Sequence, residues 1–266
     1  WTFTDVTGNY NDDNGTVDNN IDKADAVIVV NAYDVTYDAN PHTSIGSATG
    51  VSSEALAGLD LSATTHTNAG DYTGDVWTFT DVTGNYNDDN GTVDNNIDKA
   101  DAVIVVNAYD VTYDANPHTS IGSATGVSSE ALAGLDLSAT THTNAGDYTG
   151  DVWTFTDVTG NYNDDNGTVD NNIDKADADI SVTGYSGTYD AASHGATGSA
   201  LGVEGETLVG LDLGSSFTDV PGGQADWTFT DITGNYNDDA GSVQIEINQI
   251  AASITVIRSS GDYNGN

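Results

Sequence analysis

The sequence WTFTDVTGNYNDD occupies Trp1–Asp13 and recurs unchanged at Trp77–Asp89 and Trp153–Asp165. A fourth copy at Trp227–Asp239 differs only at Ile232, which replaces Val. Working outward from these copies, residues 1–102 are identical to residues 77–178, so the repeat has a period of 76 residues. This period is longer than that of solenoid repeats and is sufficient for a small domain with its own core. The sequence therefore predicts a tandem array of small domains.

The repeat boundaries are expected near the Lys-Ala-Asp-Ala junctions, where β-branched runs start. This gives complete repeats at 24–99 and 100–175 and a diverged one at 176–249. Residues 1–23 then correspond to the C-terminal part of a repeat, and 250–266 to the N-terminal part of a further repeat. We expect the chain to be an excerpt of a longer array.

The composition excludes several classes of protein. The chain has 42 acidic and 4 basic side chains, a formal net charge of −38 and no cysteine. Its negative charge would repel nucleic acids and anionic membrane surfaces, and binding to either requires contacts from Lys and Arg, which are scarce in the chain. No apolar run is long enough to span a bilayer. Disulfides, thiol catalysis and cysteine-based zinc sites are also excluded.

Within one repeat the pattern predicts short strands separated by turns, which is typical of an antiparallel sandwich. Only Ser128–Ala133 is compatible with a helical turn. Asn166-Gly167 resembles a hairpin turn, after which the last strand would begin. The expected core consists of the tyrosines and Trp153, Phe155, Leu135, Leu137 and Ile104. The expected strands are Ala102–Val106, Tyr109–Tyr113, Thr119–Val127, Leu135–Leu137, Tyr148–Phe155 and Thr168–Ile173.

Comparison of the copies predicts which strand residues face outward. Ile104 and Val106 keep aliphatic counterparts in every copy, whereas their neighbours change to Asp, Ser or Thr. Because successive strand residues face opposite sides, the variable positions point outward. They are Val27, Val29, Val103 and Val105. This face either tolerates valine or packs against a neighbouring repeat or chain.

Lys175–Asp190 (K-A-D-A-x-I-x-V-x-x-Y-x-x-x-Y-D), followed by Ala196–Val203 and the N-A-G-x-Y motif of the earlier copies, resembles the MBG/YDG-type repeats. The resemblance implies immunoglobulin-like modules in tandem in large bacterial surface or secreted adhesin-like proteins, and hence an extracellular location. Separately, Thr143–Tyr148 resembles the immunoglobulin-type tyrosine corner, in which a Tyr hydroxyl bonds to the backbone just upstream. The usual Y-D-G reads Y-D-A here, so the left-handed backbone position is expected to pass to Asn40 and Asn116.

Calcium is the best-motivated candidate ligand, because it prefers six to eight oxygen ligands and the loops are rich in Asp and Asn; no other cofactor is expected. Carboxylates at the junction would join loop carboxylates and clamp adjacent repeats. The alternative is a solvated loop in which Asp and Asn only provide turn geometry. The candidate ligands are Asp164, Asp165, Asp170, Asp174 and Asp177.

Asn14, Asn90 and Asn166 begin Asn-Gly-Thr sequons, which we expect at hairpin tips as candidate glycosylation sites or as simple turns. The five histidines lack the motifs of a hydrolase or metalloprotease.

The sequence thus predicts a non-enzymatic structural extender or stalk, with neighbouring repeats of the same chain as partners. It predicts tandem immunoglobulin-like antiparallel β-sandwiches in an elongated array. One alternative is a multivalent binding module for carbohydrate or a surface protein. It would require exposed aromatic residues, for which the tyrosines of the Gly-Asn-Tyr sequences (Tyr10, Tyr86, Tyr162 and Tyr236) are the candidates. The other is lateral or end-to-end self-association into filaments.

Overall fold

A computed structural model describes residues 1–258, 260, 261 and 263. The described chain is all-β, with two short 3-10 helices, Ser62–Thr64 and Ser138–Thr140, and no α-helix. It contains no helix long and apolar enough to cross a bilayer in these residues. The strands of the first part are β1 (Thr2–Phe3), β2 (Asp13–Asn14), β3 (Val27–Asn31), β4 (Asp34–Thr36), β5 (Ile45–Thr49), β6 (Leu59–Asp60), β7 (Gly70–Phe79) and β8 (Asp89–Asp98). Those of the second repeat are β9 (Val103–Asn107), β10 (Asp110–Thr112), β11 (Ile121–Thr125), β12 (Ala131–Leu132), β13 (Leu135–Asp136), β14 (Gly146–Phe155) and β15 (Asp165–Asp174). The remaining strands are β16 (Asp179–Thr183), β17 (Tyr185–Thr188), β18 (Thr197–Leu201), β19 (Leu211–Asp212), β20 (Gly222–Phe229) and β21 (Asp239–Asn248).

The chain divides into two compact units. The first consists of Trp1–Ile104, Ser123–Gly134 and Phe155–Asp165, and the second of Val105–Gly122, Leu135–Thr154 and Asn166–Asn266. The first unit therefore contains the whole first repeat together with the loop that precedes β15.

In the first unit, the first repeat forms two sheets. The larger has the order β4-β8-β7-β6, and the smaller pairs β3 with β5. The pairs β7–β8, β6–β7 and β3–β5 are antiparallel, whereas β4 and β8 run parallel. The prediction of a purely antiparallel arrangement missed this parallel pair. Its core cluster contains Ala48, Phe79 and Tyr86 and includes flanking residues from both sheets.

In the second unit the same orders recur. The sheet β10-β15-β14-β13 belongs to the second repeat, and the sheets β17-β21-β20-β19 and β16–β18 belong to the third. Here β10 and β15 are parallel, as are β17 and β21. The core cluster of the third repeat contains Ala176, Ala200, Phe229 and Tyr236.

The outward position of the four valines is confirmed. Val27 and Val103 are 64% exposed, and Val29 and Val105 are 48% exposed. The strands alternate exposed and half-buried residues, as period-two patterning requires. Of the expected core, Phe155 is 1% exposed, whereas the pattern missed Ile173, which is also 1% exposed.

Three local predictions were wrong. Asn166-Gly167 lies inside β15 rather than in a turn, and Ala131–Leu132 is a strand rather than part of a helical turn. The left-handed residue after Tyr-Asp is alanine itself, since Ala39 and Ala115 have φ of 65° and 64°.

The Asn-Gly prediction failed because the glycine serves a packing role. In the first repeat Gly91 lies directly opposite Trp77, and a Cβ at Gly91 would collide with the Trp77 indole. The hairpin instead turns through residues 80–88, where Gly84 has a φ of +83°. This nine-residue loop carries the Gly-Asn-Tyr sequence.

Candidate functional site: the joint between consecutive repeats

The loop at residues 80–88 is organised by one aspartate. The Asp81 carboxylate accepts hydrogen bonds from the Thr83 N–H (2.9 Å), the Thr83 hydroxyl (2.8 Å) and the Tyr86 N–H (3.0 Å). The Asp81 N–H in turn donates to Asp88 (2.8 Å). Desolvation opposes ionisation of Asp81, but these hydrogen bonds outweigh it and lower its pKa to about 2. The sequence Asp-x-Thr-Gly-Asn-Tyr thus folds locally into a closed turn.

The first copy of the loop shows that it forms without a surrounding core. Asp5 accepts from the N–H groups of Thr7 (2.8 Å) and Tyr10 (2.9 Å), as its counterparts do. The Tyr10 N–H is the largest cause that lowers the pKa of Asp5 to about 2. Tyr10 is nevertheless 73% exposed. Burial of the tyrosine therefore comes from the repeat body and not from the loop.

In the complete repeats the loop tyrosine is a buried anchor. Tyr162 is 1% exposed, donates its hydroxyl hydrogen bond to Glu130 and accepts one from the Val127 N–H (3.1 Å). Burial, followed by the bond to Glu130, raises the pKa of Tyr162 to about 12, so the hydroxyl remains a donor. The same bond lowers the pKa of Glu130.

Burial of these tyrosines corrects the prediction that they could be exposed. Tyr86 is 5% and Tyr236 is 1% exposed. Of the four Gly-Asn-Tyr tyrosines, only Tyr10 is available at the surface.

The loop also contacts the preceding repeat. The Asn161 side-chain oxygen accepts the Ala69 N–H (2.8 Å), and its Nδ2 lies 3.4 Å from the Asn68 side-chain oxygen. The edge of one ring meets the face of the other between Tyr37 and Tyr162, with centroids 5.5 Å apart and planes at 83°. We call this set of contacts the joint. It lies wholly within the first compact unit.

A second joint lies within the second compact unit and has the same geometry. Asn235 accepts the Ala145 N–H at 2.8 Å and lies 3.3 Å from the Asn144 side-chain oxygen. Tyr113 and Tyr236 have centroids 5.5 Å apart and planes at 82°. The joint is therefore retained where an unchanged repeat meets the diverged one.

Asn85 provides a comparison inside the molecule, because it occupies the same loop position. Asn161 and Asn235 are 8% and 7% exposed, whereas Asn85 is exposed. The Asn85 side chain makes no hydrogen bond to the residues that the structure describes. The difference in burial is therefore due to the joint and not to the loop.

The linker between repeats is fixed against the same loop. Ala100 donates its N–H to the Asn161 carbonyl (3.0 Å) and accepts the Asn163 N–H (2.9 Å). The Asn163 side chain also donates to Asp101 (2.8 Å). Ala100 is 4% exposed, so a larger side chain would not fit this position without rearrangement.

The surface that receives the loop is held by the tyrosine bond that the sequence indicated. Tyr72 donates its hydroxyl to the Asn68 carbonyl (2.7 Å), and Tyr148 does the same to Asn144 (2.7 Å). His66 stacks on Tyr72 with centroids 3.5 Å apart and is fixed by Asp75 (2.9 Å).

The structure does not bring all five candidate calcium ligands together. Asp165 and Asp174 begin and end one ten-residue strand. About 30 Å therefore separate them at a rise of ~3.4 Å per residue, and one ion cannot contact both. Asp164 and Asp170 accept the N–H groups of Asp157 and Gly150 at 2.8 Å each.

Asp177 lies in an acidic cleft formed with Asn237, Asp238 and Asp239. It accepts a hydrogen bond from the Asn237 side chain (2.8 Å). Asp174 accepts one from the Asn172 side chain (2.9 Å). Among the described residues no group of three or more His, Asp or Glu side chains is arranged to hold a metal.

The three sequons are exposed but do not lie at hairpin tips. Asn14 ends β2, and Asn90 and Asn166 lie near the start of β8 and β15. Glycosylation of these residues stays a prediction.

Sequence reasoning missed Asn161 and Asn235 as joint residues. A signal was present, since Gly-Asn-Tyr is unchanged in all four copies, including the diverged one, although the loop needs only Asp, Thr and Gly for its turn.

Comparisons with family models and with curated proteins find no match for the chain.

Proposed function

We propose that the chain is a run of tandem immunoglobulin-like β-sandwiches that serves as a non-catalytic structural extender, or stalk, in a large extracellular adhesin-like surface protein. The observation that supports it best is the joint, in which the loop of one repeat contacts the preceding repeat. The same three contacts recur at both boundaries, two made by Asn161 or Asn235 and one by the tyrosine that follows it. A contact that repeats at successive boundaries is what a stiff array requires.

Three features support the immunoglobulin-like sandwich. An early strand pairs in parallel with the last strand of each repeat. The tyrosine hydroxyl bonds to the backbone four residues upstream at Tyr72 and Tyr148. The core of the first repeat includes side chains from both of its sheets.

Extension follows from strand length and linker design. Ten-residue strands at ~3.4 Å per residue, with a short linker, give roughly 35–40 Å per repeat. Two backbone hydrogen bonds to the loop hold Ala100 of the linker, and the linker sequence Lys-Ala-Asp-Ala has no Gly or Pro. Adding a repeat would thus change length without changing chemistry.

Small-angle scattering tests the proposal. We expect the whole chain to scatter as a rod, and the double variant Asn161→Ala, Asn235→Ala to bend more and to show a broader distance distribution. Asn85→Ala is the matched control, because it alters the same loop outside a joint, and it should scatter like the wild type. Scattering of the wild type as a globule or a coil would overturn the stalk.

A binding module is less well supported, since the loop tyrosines of the complete repeats are at most 5% exposed. Lateral self-association into filaments is the second candidate, and the exposure of Val27 and Val29 favours it. Changing these and their counterparts Val103 and Val105 to Thr should then reduce sedimentation of assemblies while leaving folding intact. Unchanged assembly would remove this candidate.

Calcium remains part of the proposal as a clamp at the acidic cleft of Asp177, Asn237 and Asp239. Calcium should then raise the unfolding temperature beyond the effect of matched ionic strength, and Asp177→Asn should reduce that increase. An increase equal to that of the salt control would show screening of the −38 net charge only.

A further inference from the structure

We propose that each repeat is built to resist pulling from its two ends, and that the parallel pairing of its early and last strands is the element that sets the unfolding force. This inference rests on the proposed stalk function, in which tension would pass from repeat to repeat. It concerns mechanical strength, which neither extension nor stiffness requires.

The direction of the strands carries the argument. The first repeat starts near Ala24 and ends near Lys99, and β4 and β8 run parallel with Asp34, Val35 and Thr36 opposite Asn96, Ile97 and Asp98. Tension on the two ends pulls β4 backward and β8 forward along their common axis. All hydrogen bonds between the two strands are then loaded together, whereas strands pulled apart from one end lose their bonds one at a time.

Bonds at both ends of this pairing reinforce it. The Asn96 N–H donates to the Tyr33 carbonyl (2.9 Å), and the Tyr37 N–H donates to the Asp98 carbonyl (2.8 Å). The Asn96 side chain adds a bond to Asp34 (2.9 Å). The Asn95 side-chain oxygen accepts the Tyr33 N–H (3.0 Å).

The start of the repeat is also held by a parallel backbone pairing. Ala24 donates to the Asn85 carbonyl (3.0 Å) and accepts the Asn87 N–H (2.9 Å), in a parallel bridge with Tyr86. Tension on residue 24 therefore reaches these two bonds before it reaches β3.

The diverged third repeat keeps the backbone pairing although its side chains differ. Tyr185 to Thr188 lie opposite Ile245 to Asn248, and the Tyr189 N–H donates to the Asn248 carbonyl (2.9 Å). Ser186 and Glu246 (3.2 Å) replace the Asp34–Asn96 bond. Retention of the pairing with new side chains indicates that the direction of the strands is what matters.

Single-molecule pulling on the whole chain tests the proposal, and the absence of cysteine in the sequence allows unique attachment points. Attachment at Asp25→Cys and Lys99→Cys pulls β4 and β8 in opposite directions. Attachment at Asn40→Cys and Lys99→Cys pulls the same pair apart from one end. All three positions are exposed. We expect a severalfold higher unfolding force in the first geometry, and equal forces would overturn the proposal.

Two single proline variants provide a second measurement. Residues 33 and 37 direct their backbone groups to β8, so by alternation Val35 does too, whereas the Thr36 N–H faces the outer edge of the sheet. Val35→Pro should raise the unfolding rate under the first geometry by roughly fivefold, and Thr36→Pro should have a smaller effect. Equal rates for the two variants would contradict the proposed clamp even if scattering supports a rod, so the two proposals can fail separately.

Discussion

The first and third repeats share their strand pairing but fill one end of the core differently. In the first repeat Ser44 donates to Asn95 (2.9 Å), the Asn95 side chain donates to Asp75 (2.7 Å), and His66 bonds to Asp75 (2.9 Å). In the third repeat apolar side chains occupy the positions of Asp75 and Asn95. They are Ala225 and Ile245, both 0% exposed.

The histidine differs in the same way. The backbone of His66 forms an antiparallel β-bridge with His42 in the first repeat. In the third repeat Phe217 takes the position of His66 and forms the corresponding β-bridge with His194. Neither arrangement leaves a buried polar group without a hydrogen bond, since every buried side-chain polar atom in the described residues has a partner. The strand pairing therefore tolerates either a polar or an apolar core end, provided that each set of side chains is consistent in itself.

The largest expected effect comes from mixing the two sets. Asn95→Ile should lower the free energy of unfolding of the first repeat by about 3–5 kcal/mol, because it removes the partner of Ser44 and leaves the Asp75 carboxylate short of a donor. Urea denaturation followed by Trp fluorescence measures the change. Asn96→Ala is the control, since that side chain makes only exposed bonds. A loss no greater than that of the control would show that the polar set contributes little.

The sequence predicted the features of the fold that depend on neighbouring residues. The alternation of Val103 and Ile104 and the bond of Tyr148 to its upstream backbone follow from period-two patterning and a local motif. The polar core end and the joint could not be predicted in this way. Asn161 contacts Ala69 across 92 residues, and burial at such a contact leaves no local pattern.

A moderate effect is expected at a position that both repeats share. Gly91 lies under Trp77 and Gly241 under Trp227, and in each case a Cβ would collide with the indole. Gly91→Ala and Gly241→Ala should each cost about 1–3 kcal/mol, because the indole must move. Thermal unfolding measures both changes. Gly70→Ala is the control, since its Cβ would meet Tyr72 only at ordinary contact distance. Very unequal costs would show that the two repeats differ beyond the core end.

A smaller effect is expected in acid, again in both repeats. The pKa of Asp81 is about 2 in the folded loop, and that of Asp231 is also lowered, although desolvation opposes both shifts. An unfolded aspartate has a pKa of about 3.9, so this contribution to stability is present above that pH and is lost as the pH falls toward about 2. Urea midpoints between pH 5 and pH 2 should fall for the wild type and fall less for Asp81→Asn. The same change in midpoint for the wild type and Asp81→Asn would contradict the assigned hydrogen bonds.

The smallest change in stability is expected from the variant with the most substitutions. Ser44→Ala, His66→Phe, Asp75→Ala and Asn95→Ile together give the first repeat the core end of the third. Their combined cost should be no more than about 1–2 kcal/mol, because the side-chain partners are removed together and only the Tyr33 N–H loses an acceptor, the Asn95 oxygen. The sum of the four single variants, measured by the same urea titration, should exceed it by several kcal/mol, since residues in one network are strongly coupled. Additive costs would mean that the four side chains act independently, and the third repeat would then owe its apolar core end to changes elsewhere in its sequence.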